Sequence, residues 1–239
     1  VAWVGEDRFV QGIRQYFKKH AWRNTELTDL LHELELASGR DLGDWTQRWL
    51  QSAGVNTLRP EISIEDGVIR SFTVLQDPPS APEGIAPTLR PHRIRIGLYN
   101  IERRSLVRSD LIEVDVDGAL TPIAEMVGRP MPDMVLLNDD DLTFTKVRLD
   151  PHSAKTAVSY ISGIDNMLTR ALIWGAAWDM ARDAEMPTRD YLQLVKTGDL
   201  NELPVAVTQQ VLLQARSAIE QYGDPTKRNA YRDDLVNVR

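Results

Sequence analysis

The 239-residue sequence contains no cysteine, which excludes a disulfide framework, a thiolate zinc site and a cysteine nucleophile together. No apolar run approaches the roughly 20 residues that a spanning helix needs. The first residues also lack a basic stretch followed by an apolar one, so neither a membrane span nor a signal peptide is expected, and a cytoplasmic location fits. There is no glycine-rich phosphate loop and no G-x-S-x-G turn. Only four histidines occur, His20, His32, His92 and His152. None stands four residues from another, so no helix presents a two-histidine metal face.

What is present is globular in balance. Hydrophobic residues make up 42% and charged residues 26%, close to average usage, which argues against disorder or a coiled coil. Acidic residues outnumber basic ones by 35 to 28, for a formal charge of −7. Such a surface repels phosphate backbones, and no nucleic-acid partner is expected. The length suits one large domain or two to three small ones.

Texture divides the chain at about residues 57 and 150. In 1–57, Phe9, Val10, Ile13, Tyr16 and Phe17 recur on one helical face, led by Glu6 and Asp7 and followed by Lys18 and Lys19. Leu27, Leu30, Leu31 and Leu34 predict a second helix, capped by Thr25 and stopped by Gly39. Leu42, Trp45 and Trp49 predict a third, between Asp41 and Gly54. Residues 58–150 change to alternation. Asp66-Gly67 and Asp117-Gly118 are hairpin-type turn signals, and strands are expected around Ile62–Val74, His92–Tyr99, Val114–Val116, Met134–Leu137 and Leu142–Val147. The proline-rich 78–91 reads as an irregular loop. From Asp150-Pro151 the pattern is helical again. Pro187 and Pro204 are expected in first turns, and Gly198 and Gly223 at helix ends. The fold class that follows is α+β and multidomain: a short helical bundle, an antiparallel β-sandwich, then an α-solenoid-like helical array.

Several patterns invite a chemical reading and support a plainer one. In His32-Glu33-Leu34-Glu35-Leu36, Leu36 stands where a zinc-protease helix needs its second histidine, so His32 reads as the solvated side of a leucine-striped helix. Asp139, Asp140 and Asp141 lack the spacing of a calcium loop and read as a turn. Arg90, Arg93, Arg95, Arg103, Arg104 and Arg108 lie in the most acidic part of the chain and read as a solvated strand face. Trp45, Trp49, Trp174 and Trp178 stand at helical spacing, which favours core packing over a ligand cage.

Several stretches together resemble the aminopeptidase N family of zinc metallopeptidases, particularly its bacterial members. Val1 to Val10 with Gly12 to Ala21 resembles the helical segment just past that family's catalytic tyrosine. Asp44-Trp45, Trp49-Leu50 and Ala53-Gly54-Val55-Asn56-Thr57-Leu58 are similar to the exit from the peptidase domain. Leu137 to Leu142 with Lys146 to Leu149 resembles the last sandwich strands. Leu172 to Met180 with Arg189-Asp190-Tyr191 resembles the start of the C-terminal helical domain. The resemblance implies that 1–57 closes the thermolysin-like peptidase domain, that 58–150 is the β-sandwich and that 151–239 opens the helical domain. It implies a parent enzyme that uses zinc-activated water to remove N-terminal residues from peptides. The H-E-x-x-H helix, the downstream glutamate ligand, the G-x-M-E-N motif and the catalytic tyrosine are absent from these 239 residues. No catalytic, cofactor-binding or metal residue is therefore assigned to this chain, and it is expected to be inactive alone, bracing the catalytic domain and shaping peptide access. The partners expected are peptide substrate in the parent enzyme, the remaining catalytic domain and a second copy of the chain, with no membrane. The start at Val1 inside an apolar run and the uncapped end at Arg239 fit a piece of a longer protein. An independent interaction module without enzymatic activity is the alternative. Trp3, Phe9, Ile13, Tyr16, Phe17 and the Leu27–Leu34 stripe are expected to leave an apolar face uncovered.

Overall fold

The computed structural model describes residues 1–79 and 87–236. Three helices come first: α1 (Glu6–Lys19), α2 (Leu27–Ser38) and α3 (Gly43–Leu50). Acidic Glu6 and Asp7 open α1 and Lys18 and Lys19 close it, complementing the helix dipole. The cap of α2 is Glu26 instead of the expected Thr25. Asp29 accepts from the Glu26 backbone N–H at 2.9 Å, while the Thr25 hydroxyl is shared with Tyr16 at 2.6 Å. Gly39, at φ 71°, ends the helix.

Strands β1 (Thr57–Glu65) and β2 (Val68–Asp77) form a hairpin over Asp66-Gly67, whose φ values of 52° and 76° are what such a two-residue turn requires. Strands β3 (His92–Glu102) and β4 (Ser105–Val116) form a longer one over Arg103-Arg104. Both arginines hold positive φ, 49° and 78°, a conformation that costs a non-glycine residue about 1–2 kcal/mol. These two residues therefore belong to a turn and not to the expected strand face.

After β4 the chain passes Asp117-Gly118 and changes sheets: β5 (Leu120–Pro122) pairs with β2. Strand β6 (Met134–Leu137) returns to β3, and β7 (Lys146–Val147) joins β1. Two sheets result, ordered β5-β2-β1-β7 and β4-β3-β6. Two expectations are corrected here. The strand foreseen over Leu142–Val147 shrinks to its last two residues, because Asn138 to Thr143 is tied into a loop by the Asn138 amide. The β1–β7 pair is parallel where antiparallel pairing was expected. The chain reaches β7 from the other sheet and not through a hairpin, so nothing reverses its direction against β1. Of the proline-rich stretch, Pro78, Pro79 and 87–91 have no regular structure; 80–86 lie outside the described residues.

The helices that follow are α4 (Pro151–Tyr160), α5 (Met167–Arg182), α6 (Thr188–Thr197), α7 (Val205–Ser217) and α8 (Arg228–Val236). Asp150 caps α4 through the His152 and Ser153 N–H groups, with Pro151 in the first turn. Pro187 and Pro204 occupy cap positions one residue ahead of those expected. Gly198 closes α6 at φ −81°, so its glycine character has nothing to do with a left-handed cap. A Cβ there would strike the Trp174 indole. Among the described residues, no helix is long and apolar enough to cross a membrane.

One buried cluster unites both sheets with the later helices. It takes Leu58, Phe72 and Val74 from one sheet, Ile94, Ile96 and Leu136 from the other, and Trp174, Tyr191 and Leu194 from α5 and α6. Trp45 and Trp49, read as core, are only half-buried. The buried apolar residues of the first helices, Leu34, Ala37 and Leu42, are not part of that cluster. Phe17 is 66% exposed and Trp22 fully so, with Val10, Leu27 and Leu36 also open to solvent. Phe9, Ile13 and Tyr16 are half-buried, so the uncovered apolar face is narrower than expected.

Candidate functional site

The groups most strongly organised by the fold lie where the sheets meet the first helices and α5. Asp139 is fully buried in the loop after β6. A lone carboxylate there would be costly, and it is fully engaged. Its Oδ2 accepts from the Tyr99 hydroxyl at 2.5 Å and from Arg108 at 3.2 Å. Its Oδ1 accepts from the Thr169 hydroxyl at 3.1 Å and the Asp140 N–H at 3.1 Å. Thr169 sits in the first turn of α5, where the helix dipole favours a negative charge. Burial, together with the neighbouring carboxylate, pushes the Tyr99 phenol far above its ordinary pKa, so it remains a donor. The loop shape comes from Asn138, Asp140 and Asp141, all at positive φ, a region that Asn and Asp tolerate better than most residues. The aspartate run thus forms the turn foreseen from the sequence, but its first member points inward and bonds side chains.

From Asp139 an ion-pair ladder crosses the face of the β4-β3-β6 sheet. Arg108 reaches Asp140 at 2.9 Å, Asp140 reaches Arg95 at 3.0 Å, Arg95 reaches Glu113 at 2.9 Å and Glu113 reaches Arg93 at 2.8 Å. Arg93 then meets Asp115 at 2.8 Å, and Asp115 meets Arg40, just past α2, at 2.8 Å. Arg93 stands directly opposite Asp115 and Arg95 opposite Glu113 in the β3–β4 register. Hydrogen bonds from Arg93 and Arg95 hold the Glu113 carboxyl below its usual pKa. Burial works against ionising Asp140, but Arg108 and Arg95 outweigh it and keep that carboxyl low as well. The arginines read as a solvated face are neutralised side by side.

Arg90 behaves differently. It is 3% exposed and, among the described residues, its guanidinium bonds no carboxylate. It donates to the Arg48 and Ser52 carbonyls at 2.9 and 3.0 Å, to the Ser52 hydroxyl at 2.8 Å and to Asn56 at 2.9 Å. The cation thus satisfies orphan carbonyls where α3 ends, at the negative pole of that helix. Beside it, the Trp49 indole donates to the Pro91 carbonyl at 2.9 Å and packs edge-on against His92. Burial, aided by the charge of Arg90, pushes the His92 pKa down to about 4.

At the other end of α5, Arg148 is buried and donates to Asp183 and, at 3.0 Å, to Glu185. Lys146 adds a 3.0 Å contact with Asp183. Both sheets therefore hold α5, one at each end.

Among the described residues, no three histidine or carboxylate side chains converge as a metal site. His92 Nδ1 shares a hydrogen bond with Thr143 at 2.9 Å, and arginines already occupy the carboxylates of 139–140. These donors do not fit a zinc ion. His32 is exposed on α2, as its leucine-striped surroundings imply. Sequence reasoning did not single out Tyr99, Thr169 or Arg40. The ladder itself had a signal, since Arg-x-Arg at 93–95 and Glu-x-Asp at 113–115 alternate in step on two strands of one hairpin.

A fold with a helical N-terminal unit, two small sheets and a helical C-terminal unit matches a defined class. Residues 134–238 match the ERAP1-like C-terminal domain family. The chain is 50% identical to Aminopeptidase N of Streptomyces lividans over 96% of its length, and spans 27% of that relative. Aminopeptidase M1-B of Oryza sativa subsp. japonica is 25% identical over 64% of the chain, which spans 17% of it. The crystal structure of Legionella pneumophila aminopeptidase A in complex with aspartic acid superposes with a TM-score of 0.56 at 15% identity, covering 97% of this chain and 27% of that one. The matches define the C-terminal region of aminopeptidase N-type enzymes. This chain is similar to that C-terminal region of aminopeptidase N.

Proposed function

We propose that this chain is the non-catalytic C-terminal stretch of a zinc-dependent aminopeptidase that removes N-terminal residues from peptides in the cytoplasm. Residues 1–57 then form the helical close of the peptidase domain, 58–150 a β-sandwich and 151–239 the start of a solenoid-like helical domain. The zinc, the general base and the groups that grip the substrate's amine belong to the catalytic domain. This stretch braces that domain and shapes the path by which peptides reach it. The observation that carries the reading is 50% identity along almost the whole chain to an aminopeptidase N of which it spans only 27%. The exposed Phe17 on α1, Trp22 in the turn after it and Leu36 on α2 supply an apolar surface suited to packing against that domain.

The test uses the purified chain and a parent enzyme truncated before Val1. The chain alone should neither hold stoichiometric zinc after dialysis nor cleave aminoacyl reporters. The truncated enzyme should regain activity or thermal stability when the chain is added. One zinc per chain, turnover by the chain alone, or no effect on the truncated enzyme would overturn the proposal.

A further inference from the structure

We infer that α1 and α2 form an arm that docks on the sheets through one latch, Arg40, and that releases at high ionic strength as a unit while the sheets stay folded. The two helices pack on each other, with the Arg8 guanidinium on the Ala37 carbonyl at 3.2 Å and Lys19 on Glu33 at 2.7 Å. Their buried apolar side chains, Leu34 and Ala37, lie outside the cluster that binds the sheets to α4–α7. Among the described residues, the polar contact that joins 1–42 to a strand is Arg40 to Asp115 at 2.8 Å. The same guanidinium lies over the Trp3 ring, 4.4 Å from its centre, so it grips the chain ahead of α1 as well.

Around this contact the packing is open. Val1 to Trp3 face Trp45, Trp49, Pro91 and Phe144 across a cleft of about 180 Å³. Gly39, in the left-handed region, and Asp41 lie between α2 and α3 and form the pivot. The unit beyond that pivot is firmly held, because Arg90 and Trp49 bond α3 and its exit to the strands. Asp115 is shared with Arg93, so the latch is the last rung of the ladder that begins at Asp139. Arg40 and Asp115 are both about one third exposed, at 31% and 38% of the side chain. Salt therefore reaches the pair: screening shortens from about 10 Å at 0.1 M to about 3 Å at 1 M. An undocked pair of short helices is marginal by itself and opens readily.

Hydrogen exchange of the 239-residue chain, read by mass spectrometry in about 0.05 M and about 1 M NaCl, tests the latch. In Arg40→Gln at low salt, amides of 6–38 should exchange about three- to tenfold faster than in the wild type, while β1 to β4 are unchanged. High salt should bring the wild type toward the variant and leave the variant itself nearly unmoved. Arg232→Gln, which removes a remote exposed pair with Glu220, should behave as the wild type. Equal rates in 6–38 for wild type and Arg40→Gln, or an equal response of both to salt, would overturn the latch. If Arg40→Gln fails to fold, the wild-type salt series decides: acceleration spread over the strands as well as 6–38, or absent from both, overturns the arm.

Discussion

The hydroxyl of Tyr99 on β3 donates to the buried carboxylate of Asp139 at 2.5 Å, and Thr169 of α5 completes the grip at 3.1 Å. One side chain from a strand, one from a loop and one from a helix thus meet on two oxygens. Removing the carboxylate with Asp139→Ala takes the acceptor from four donors, Tyr99, Arg108, Thr169 and the Asp140 N–H, and should destabilise the chain by about 3–5 kcal/mol. Tyr99→Phe should cost about 1–3 kcal/mol. In urea unfolding the double variant Tyr99→Phe, Asp139→Ala should cost clearly less than the sum of the two. Additive losses would show that the two residues do not act through each other.

Gly198 offers a cleaner steric test, because its φ of −81° suits any residue. Gly198→Ala should destabilise by about 1–3 kcal/mol through collision with Trp174 alone. Trp174→Leu is costly by itself through the cavity it leaves, yet in that background the alanine should be nearly harmless. A Gly198→Ala penalty that is the same in both backgrounds would locate the strain elsewhere.

His92 sets an acid limit. Its pKa falls from 6.5 in the unfolded chain to about 4 in the fold, so the unfolded state binds more protons between those values. Stability should therefore be intact above about pH 6.5 and decline toward pH 4, by about 3 kcal/mol in total. The carboxylates of Glu113 and Asp140, held low by their arginines, add a further loss only as the pH drops below about 4.5. His92→Gln should flatten the melting temperature between pH 6.5 and 4.5. An unchanged slope in that variant would assign the acid loss to other groups.

Phe17 and Trp22 are the most exposed large side chains of α1 and the turn after it. On the proposed function they meet the catalytic domain, and in the isolated chain a second copy should cover them. Light scattering should then show species above 27.1 kDa that grow with concentration. Phe17→Glu should reduce them with little change in the melting temperature, since the ring is 66% exposed and meets the Tyr16 ring only edge-on. A chain that stays monomeric at high concentration would remove self-association from the proposal.

Local signals were legible wherever one short segment decides the outcome. The Asp66-Gly67 hairpin, the Asp150-Pro151 helix start and the dipole-matched ends of α1 depend on near neighbours, and sequence reasoning found them. Arg103-Arg104 was not legible as a turn, because no residue there favours positive φ and only the pairing of β3 with β4 imposes it. Gly198 was legible as a helix end but not for its cause, which is an indole 24 positions earlier in the chain.

The amino-acid order alone settles the alternation of strands, the helix stripes, the absence of thiol chemistry and the stretches that resemble aminopeptidase N. Those properties follow from spacing along the chain, where side-chain period and backbone preference act within a few residues. The roles of the charges arise only in three dimensions. Arg90 and Arg93 stand three positions apart, yet one is buried on the carbonyls at the end of α3 and the other bridges two carboxylates on β4. Asp139 and Asp141 sit in the same run, and only Asp139 is enclosed by Tyr99, Arg108 and Thr169. A charge takes its energy from the partners and solvent within a few ångströms, and those come from segments that folding brings together from up to 126 positions away in the chain, as in the pair of Arg59 with Glu185.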